Sequence, residues 1–499
     1  MRDQRSRMSL RSIRATAPAA LILTVQGRFR DSAACSEPDM ASSTTDQISH
    51  APATGTLFGH PRALTFLFAT EMWERFSYYG MRALLVLYMT RFLLQGDHAD
   101  GVIGLASLRS MLEAASGPLD VQPLGSQIYG LYTGLVYLTP IFGGLLADRV
   151  LGQRRTVVIG AALMAAGHFM MAFESLFLLA LATLIIANGA FKPNIVTQVG
   201  GLYAAGDPRR DRAYSIFYVG INMGAFLAPL VCGTLGEQWG WHYGFLAAGI
   251  GMTIGLAIYL YALPFLPPDE MHKLKADPDG AAPQRSDWRA LTALAVLFVP
   301  TTLFFAAYEQ QGNTIALWAD DHTDRNIDLL ITHAQIPVTW FQAFNPLMIF
   351  AFTPLLVGLW SRQAQRGREP ATIVKMALGC FLLALAFLIM TAAAMVAGGD
   401  EASWLWLLAF FVVLTIGELY LSPISLSLVS KVAPRRMLSM TMGLWLTTIF
   451  VGNVLAGWLG SFWSTMDKAS FFLMLAGLTA LAGALILTCS RPLRSALEG

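Results

Sequence analysis

The sequence predicts an all-α membrane protein with twelve transmembrane helices in two six-helix bundles and with both termini in the cytoplasm. Three observations predict this fold class: an apolar composition, twelve long apolar stretches, and basic residues concentrated in alternate connections. The 499-residue chain is 55% hydrophobic and 13% charged, whereas soluble domains carry about 25% charged residues. The composition predicts membrane lipids as surroundings, and no nucleic-acid partner is expected. The net charge of +2 says nothing about partners, because what matters in such a chain is where the charges lie.

Each of the twelve apolar stretches is long enough to cross a hydrocarbon core about 30 Å thick. They lie at residues 63–92, 126–149, 156–173, 176–198, 213–235, 241–263, 290–318, 336–360, 371–397, 403–430, 437–460 and 469–490. A polar connector at residues 264–289 separates six stretches from six and is predicted to be a cytoplasmic linker. It divides the chain into a first half, residues 60–263, and a second half, residues 290–499, each predicted to be a six-helix bundle.

The connections between these stretches differ in charge. Those that follow an even-numbered stretch carry sixteen basic residues, and the others carry three, Arg109, Arg325 and Lys468. The sixteen are Arg149, Arg154, Arg155, Arg209, Arg210, Arg212, Lys273, Lys275, Arg285, Arg289, Arg362, Arg366, Arg368, Lys431, Arg435 and Arg436. Basic loops stay on the cytoplasmic side, so the asymmetry predicts cytoplasmic termini. We call the end with the sixteen residues the basic end and the other the opposite end.

Residues 1–59 differ from the rest of the chain and are predicted to be a disordered N-terminal extension. Seven arginines lie among the first thirty residues, around an apolar patch at residues 17–25 that is short for a membrane span. A signal peptide is one alternative. A start-site artefact, with the true start at Met40, is another.

No metal site is predicted. The four cysteines are scattered along the chain without metal or disulfide spacing, and they are interpreted as structural thiols. Residues 320–324 (DDHTD) include metal-binding residue types, but they fall in an external connection. Solvation is therefore the expected state of these side chains.

The first apolar stretch carries ionisable and phenolic side chains at helical spacing. They are Glu71, Glu74, Arg75, Tyr78, Tyr79 and Arg82. At about 100° per residue, all six fall within an arc of roughly 140° on one helix face. A charged group at the centre of a membrane helix costs about 2.5–3.5 kcal/mol. The face is therefore predicted to point into the bundle or a water-filled cavity and to have a function there.

Three more charged side chains lie inside apolar stretches: Lys192, Glu309 and Glu418. A lone ammonium group in hydrocarbon is costly, so Lys192 is predicted to have an acid partner. Glu71, Glu74 and Glu418 are the candidates, and the sequence leaves the choice open.

Arg82 requires a partner for the same reason, and Glu309 in the other half of the chain is the predicted one. An ion pair between the halves could form and break as the halves move. The alternative is a pair that only locks two helices together.

Residues 71–80 (EMWERFSYYG) match the ExxERFxYYG signature of the proton-dependent oligopeptide transporters, a branch of the major facilitator superfamily. Further segments resemble this family in the expected order from about residue 60 onward. They are residues 148–155, 191–194, 217–224, 340–346 and 417–423. The resemblance implies the major facilitator superfamily fold, which agrees with the two predicted bundles.

The resemblance also implies residue roles. Glu71, Glu74 and Arg75 would act in proton coupling, and Arg82 with Glu309 would form a gate between the halves. The residues implied in peptide binding are Arg75 and Lys192 for the carboxylate, Glu418 for the amino terminus, and Tyr78, Tyr79, Tyr137, Asn222 and Asn345 for the backbone. A zwitterionic peptide needs such a cation, an anion and neutral polar groups between them.

The sequence departs from family patterns at two places. Animal members carry a proton-sensing histidine on the second span, where this chain has Gly130 and no histidine between residues 126 and 149. Coupling is therefore expected to depend on carboxylates. Many bacterial members have two extra helices between the halves, and residues 264–289 are too short and polar to form them.

The predicted function is proton-coupled import of di- and tripeptides across the cytoplasmic membrane by alternating access, with protons as the coupling ion and no other cofactor. The alternative keeps the fold but carries nitrate, a modified peptide or another small organic solute. An intramembrane enzyme or receptor is the third hypothesis. No GxSxG or HExxH motif lies on the spans, so the protein is not expected to be an enzyme.

Overall fold

The computed structural model describes residues 56–488 apart from 58, 205, 270–284, 330–331 and 434–437. Residues 1–55 of the predicted extension and most of the predicted linker lie outside the described residues. The helices are α1 (Arg62–Tyr88), α2 (Leu105–Ser116), α3 (Val121–Leu138), α4 (Pro140–Leu146), α5 (Gln153–Met170), α6 (Phe177–Gly201), α7 (Arg209–Ala228), α8 (Thr234–Gln238), α9 (Trp241–Ala262), α10 (Arg285–Tyr308), α11 (Thr314–Asp321), α12 (Phe344–Gln365), α13 (Thr372–Ala397), α14 (Leu405–Val432), α15 (Leu438–Gly460) and α16 (Lys468–Thr488).

Short strands occur in three separate pairs. They are β1 (Thr56–Leu57), β2 (His60–Pro61), β3 (Thr323–Asp324), β4 (Asn326–Leu329), β5 (Thr332–Gln335) and β6 (Ala402–Ser403). β1 pairs with β2 and β4 with β5 as antiparallel hairpins, and β3 pairs with β6 in parallel. These short pairs lie outside the long helices. The protein is mostly helical, as predicted.

Nine helical segments of the described residues are long and apolar enough to cross a membrane. They are Val121–Leu151, Glu174–Gly201, Arg209–Gln238, Trp241–Phe265, Val338–Gln365, Thr372–Ala397, Leu405–Val432, Met440–Ser464 and Lys468–Thr488. α1 has 27 residues but is not among them, because its charged side chains lower the mean hydropathy of the helix. Large apolar side chains such as Phe142, Leu355 and Val396 are exposed on the helices, as expected of surfaces that contact lipid.

Helices pack both within and between the two halves. In the first half, α1 packs against α7 and α9, and α5 packs against α6. In the second, α13 packs against α14 and α16, and α10 packs against α15. Contacts between α3 and α15 and between α7 and α12 join the halves.

Two element boundaries differ from the sequence prediction. α3 begins at Val121 rather than at residue 126, because its first turn contains polar residues that hydropathy does not assign to a span. The seventh apolar stretch is not one helix: α10 ends at Tyr308, a 3₁₀ turn covers Glu309–Gly312, and α11 follows. Glu309 therefore lies at a break between two helices.

The contact between α3 and α15 is a close approach of backbones. A Cβ atom on Gly130 would lie 2.5 Å from the carbonyl oxygen of Asn453 and 2.7 Å from Cα of Gly457. Small residues allow such approach between membrane helices. Gly130 therefore permits the two halves to meet along this seam, and a histidine at this position would not fit.

Candidate functional site

The charged face of α1 is organised around Arg75. Its guanidinium forms two hydrogen bonds with the Glu74 carboxylate, one of them 2.5 Å between Nη2 and Oε1. Glu71 lies 3.6 Å from the Arg75 Nε atom, and both carboxylates are almost fully buried. The guanidinium carbon also lies 5.0 Å from the ring centre of Tyr78 and 5.9 Å from that of Tyr79. Desolvated groups in such a cluster interact strongly, so a change in the charge of one affects the others.

Two polar atoms on this face lack a hydrogen-bond partner within the described part of the chain. They are Oε2 of Glu71 and the hydroxyl group of Tyr78, and both are buried. The residues are seven apart, so they project from the same side of α1. A buried polar atom without a partner costs about 1–3 kcal/mol. A polar ligand beside Tyr78 would supply a partner for its hydroxyl group, and a proton on Glu71 would reduce the cost of burying its charge.

Asn188 on α6 joins the cluster from a neighbouring helix. Its Oδ1 atom lies 3.5 Å from Nη2 of Arg75, and its Nδ2 group donates a hydrogen bond of 2.9 Å to the carbonyl oxygen of Val136 on α3. No role is predicted for Asn188 from the sequence. The available signal was its position four residues before Lys192, on the same face of the helix.

Lys192 does not contact an acid. Its ammonium group lies 5.1 Å from the ring centre of Tyr137 on α3, which is a cation–π contact. Among the described residues, no carboxylate lies within 4.0 Å of it, although Glu71 and Glu74 are within electrostatic reach. The predicted direct ion pair is therefore absent from this conformation, since Arg75 already occupies the Glu74 carboxylate.

The predicted anion of the second half is held by two helices. The Nδ2 group of Asn345 on α12 donates a hydrogen bond of 2.8 Å to Glu418 on α14 and lies 3.1 Å from the hydroxyl oxygen of Thr415. Thr415 is one turn before Glu418 and was not singled out from the sequence. The three side chains form a polar site that belongs to the second half of the chain.

Among the described residues, Asn222 forms no hydrogen bond with the other predicted site residues. Its amide donates a hydrogen bond of 3.0 Å to the carbonyl oxygen of Tyr218, one turn earlier on α7. This bond gives the Asn222 amide a donor contact within its own helix. The role implied for Asn222 stays a prediction.

Arg82 and Glu309 are placed together by the fold. They form an ion pair between the halves, and Nε of Arg82 donates a hydrogen bond of 2.8 Å to the Tyr129 hydroxyl on α3. The two charged side chains are buried, with 7% and 3% of their surfaces exposed. Tyr129 was missed in the sequence because a tyrosine in an apolar stretch is more often a packing residue. Its position next to Gly130 was the only signal.

A comparison with protein-family models identifies the family. The model described as the POT family matches residues 154–273 and 279–474, which is more than half of the chain. The chain belongs to the POT family. This confirms the resemblance predicted from residues 71–80 and makes the protein a member of a family of multi-pass membrane transporters.

Curated relatives cover most of this POT family member. The peptide transporter YePEPT of Yersinia enterocolitica is 33% identical over 479 residues, covering 82% of this chain and 89% of the relative. A di-/tripeptide transporter of Lactococcus lactis is 32% identical over 503 residues, covering 88% and 97%. Both alignments extend through the two halves, so the chain corresponds to nearly whole transporters.

Solved structures share the fold. The structure of peptide transporter POT in complex with sulfate has a TM-score of 0.76 at 29% identity and covers 89% of this chain and 97% of that chain. A POT family transporter in complex with 5-aminolevulinic acid has a TM-score of 0.75 at 26% identity, covering 89% and 98%. The arrangement of helices described above is therefore that of POT family transporters.

Proposed function

We propose that this POT family member imports di- and tripeptides together with protons across the cytoplasmic membrane by alternating access. It has twelve transmembrane helices, made up of the nine apolar segments together with α1, α5 and α10. Its termini lie in the cytoplasm, since basic residues concentrate at one end. The basic end is then the cytoplasmic side, and protons are the coupling ion, with no other cofactor.

The observation that carries this proposal is the separation of charge between the halves. Arg75 and Lys192 supply positive charge from α1 and α6, and Glu418 supplies negative charge from α14. A zwitterionic peptide matches this arrangement, with its carboxylate at the first half and its amino group at the second. A bound peptide then bridges the two halves, which is what a transporter with alternating access requires.

Neutral polar groups complete the site for a peptide backbone. The Tyr78 hydroxyl has no partner among the described residues, Tyr79 lies beside it with ring centres 5.2 Å apart, and Asn345 already contacts Glu418. These groups recognise amides without reading side chains, which suits a carrier of varied di- and tripeptides.

Proton coupling is assigned to Glu71 and Glu74. Both share Arg75, and protonation of Glu74 would remove the charge that holds the guanidinium. Arg75 would then be free to bind the peptide carboxylate. Proton binding and peptide binding are in this way linked through one residue, and the linkage acts in both directions.

The names of the relatives support a peptide as cargo. They include a peptide transporter and a di-/tripeptide transporter, and a solved structure contains alafosfalin bound to a mutant of peptide transporter POT. The relative with bound 5-aminolevulinic acid carries a ligand with an amine and a carboxylate. A positive and a negative end are common features of these ligands, in agreement with the charges at this site.

The test is uptake of radiolabelled dialanine into proteoliposomes with an acidic exterior and a negative interior. We expect accumulation that an ionophore abolishes, competition by other dipeptides, and weak competition by nitrate. Strong competition by nitrate, or uptake unaffected by collapse of the gradient, would contradict the proposal. 5-Aminolevulinic acid in the same panel shows whether small amino acids without a peptide bond are also carried.

Glu418→Gln and Glu74→Gln separate the two parts of the mechanism. Glu418→Gln removes the anion for the amino group, so we expect uptake and exchange to fall together. Glu74→Gln removes a proton site, so gradient-driven uptake should be lost while exchange of internal for external dipeptide continues. Full gradient-driven uptake by Glu74→Gln would show that this carboxylate has no coupling role.

A further inference from the structure

A short helix at the opposite end approaches the start of a helix in the other half. α8 follows a π-helical turn, Pro229–Gly233, at the end of α7, and Glu237 lies near its C-terminus. The facing helix begins at Val338 with a 3₁₀ turn and continues as α12, forming one segment that runs to Gln365. The start of this long helix lies against α8.

The Glu237 carboxylate accepts three hydrogen bonds from the first residues of that helix. Oε2 accepts from the backbone N–H of Val338 at 2.7 Å, and Oε1 accepts from the backbone N–H of Thr339 at 2.8 Å. The Thr339 hydroxyl donates to Oε1 at 2.6 Å. The first N–H groups of a helix have no partner inside the helix, and a negative charge there is favoured by the helix dipole.

The helix does not supply a cap of its own. Its N-cap residue is Pro337, and no side-chain hydrogen bond caps the helix from within its own segment. Proline has no side-chain acceptor, so the usual contribution of a serine, threonine or aspartate at this position is missing. The cap is provided by Glu237, about 100 positions earlier in the chain and in the other half.

Residues around Glu237 leave room for this contact and add a hydrogen bond to it. A Cβ atom on Gly233 would lie 1.9 Å from Oγ1 of Thr339, so only glycine leaves room for the threonine. The indole N–H of Trp340 donates a hydrogen bond of 2.8 Å to the Thr234 hydroxyl. The interface therefore holds the start of the helix in one position relative to α8.

We propose that Glu237 is a gating residue that caps the helix of the other half only while the opposite end is closed. Opening that end separates α8 from Val338 and Thr339 and leaves three donors without their acceptor. The cap therefore favours the closed conformation and sets the balance between the two conformations of the transport cycle. This inference rests on the proposed alternating-access function and adds a charge–helix contact to the Arg82–Glu309 ion pair.

The test measures distances by pulsed electron paramagnetic resonance in the full chain, with its four native cysteines replaced by alanine. One pair of spin labels, at Asp100 and Glu401, reports the opposite end, and a second pair, at Asp211 and Gln365, reports the basic end. All four positions are exposed. We expect Glu237→Gln to shift the equilibrium about tenfold toward the conformation with a long Asp100–Glu401 distance, because hydrogen bonds to a charged group are the strong ones.

Two variants of Thr339 provide an independent measurement. Thr339→Val removes the hydroxyl donor and keeps the shape, so the equilibrium should shift in the same direction by about threefold. Thr339→Ser keeps the hydroxyl and should retain the distribution of the unmodified protein. If Glu237→Gln does not fold, as judged by thermal unfolding, the comparison of Thr339→Val with Thr339→Ser tests the proposal.

Glu113→Gln is the matched control. Glu113 is an acid at the same end that accepts a backbone hydrogen bond from Leu119, but within the first half, so its replacement should leave the Asp100–Glu401 distance unchanged. Unchanged distances in both Glu237→Gln and Thr339→Val would overturn the proposal. The distances are measured without peptide or gradient, so failure of peptide uptake alone would leave this result interpretable.

Discussion

The Arg82 guanidinium on α1 is ion-paired with the Glu309 carboxylate, 227 residues further along the chain. The pair is buried, and it joins the two halves at the break between α10 and α11. The Tyr129 hydroxyl accepts a hydrogen bond from the same guanidinium. Separation of the halves here would expose both charges, so water must enter as the pair breaks.

Removal of one partner from this pair should be more damaging than removal of both. Arg82→Gln leaves the Glu309 carboxylate buried without its cation, which typically costs about 3–5 kcal/mol. The double variant Arg82→Gln/Glu309→Gln should recover part of this stability. Thermal unfolding of the two single variants and the double variant in detergent gives the coupling free energy.

The ion pair of Arg91 with Asp320 and Asp321 is the control for that experiment. It also joins the halves, but Arg91 is 39% exposed in its side chain. Exposed pairs contribute about 0–1 kcal/mol, so Arg91→Gln should change the melting temperature little. A coupling free energy for Arg82 and Glu309 as small as this would show that their pair does not hold the two halves together.

Thr415→Val should weaken peptide binding without preventing transport. The valine keeps the size of the side chain but removes the oxygen that lies 3.1 Å from the Asn345 amide. Asn345 then loses one of the two partners that orient it toward Glu418. We expect the KM for dialanine to rise about fivefold, which corresponds to the loss of one hydrogen bond, with little change in the maximal rate.

Thr415→Ser is the conservative variant for this measurement, because the serine hydroxyl can occupy the same position. It should restore a KM close to that of the unmodified protein. Equal KM values for the valine and serine variants would mean that Thr415 only fills space.

Gly130→Ala tests the close contact between α3 and α15. The added methyl group would lie 2.5 Å from the Asn453 carbonyl oxygen, and such overpacking typically costs about 1–3 kcal/mol. The cost falls on the conformation in which the seam is closed, so the Asp100–Glu401 label pair should report more of the long distance. Gly477→Ala on α16 is the control, since no atom of the described residues beyond its own stretch of helix lies within 4 Å of its Cβ position. Equal distance distributions for the two variants would show that the contact between α3 and α15 does not take part in the conformational change.

The face of α1 could be predicted from sequence because six polar side chains recur at the spacing of one helix. The partner of Arg82 could also be predicted, since few charges lie in the apolar stretches and Glu309 was available in the other half. Both inferences depend on the high cost of a charge in hydrocarbon, which makes each charged residue in an apolar stretch informative. Neither requires knowledge of the tertiary structure.

Other features depend on tertiary contacts and could not be predicted. Lys192 lies against Tyr137 because Arg75 occupies the carboxylate that the lysine would otherwise bind. Nothing in the sequence predicts the contact of Glu237 with the other half, since an acid at the end of an apolar stretch is expected to lie in solvent. Its role depends on which helix start lies opposite, and only the fold determines that.

Docking of the β1–β2 hairpin at the basic end should depend on pH. Nδ1 of His60, in strand β2 of the hairpin, lies 2.8 Å from the Tyr203 hydroxyl after α6. Burial lowers the pKa of His60 below 6.5, and the nearby Arg209 and Arg212 lower it further, while Asp207 opposes them. The Tyr203 pKa is raised to about 12, so this group stays neutral. The docked hairpin thus binds a proton less readily than the free one, so its docking is strongest above pH 6.5 and weakens as the pH falls below it.

Hydrogen exchange of the hairpin amides, corrected for the intrinsic rate, measures this docking between about pH 8 and about pH 5, the range in which histidine titrates. We expect protection to fall on the acidic side in the unmodified protein. His60→Gln keeps a polar side chain that does not titrate, so its protection should not change with pH. If protection falls at acidic pH in both the unmodified protein and His60→Gln, another group causes the pH response and His60 is only a packing residue.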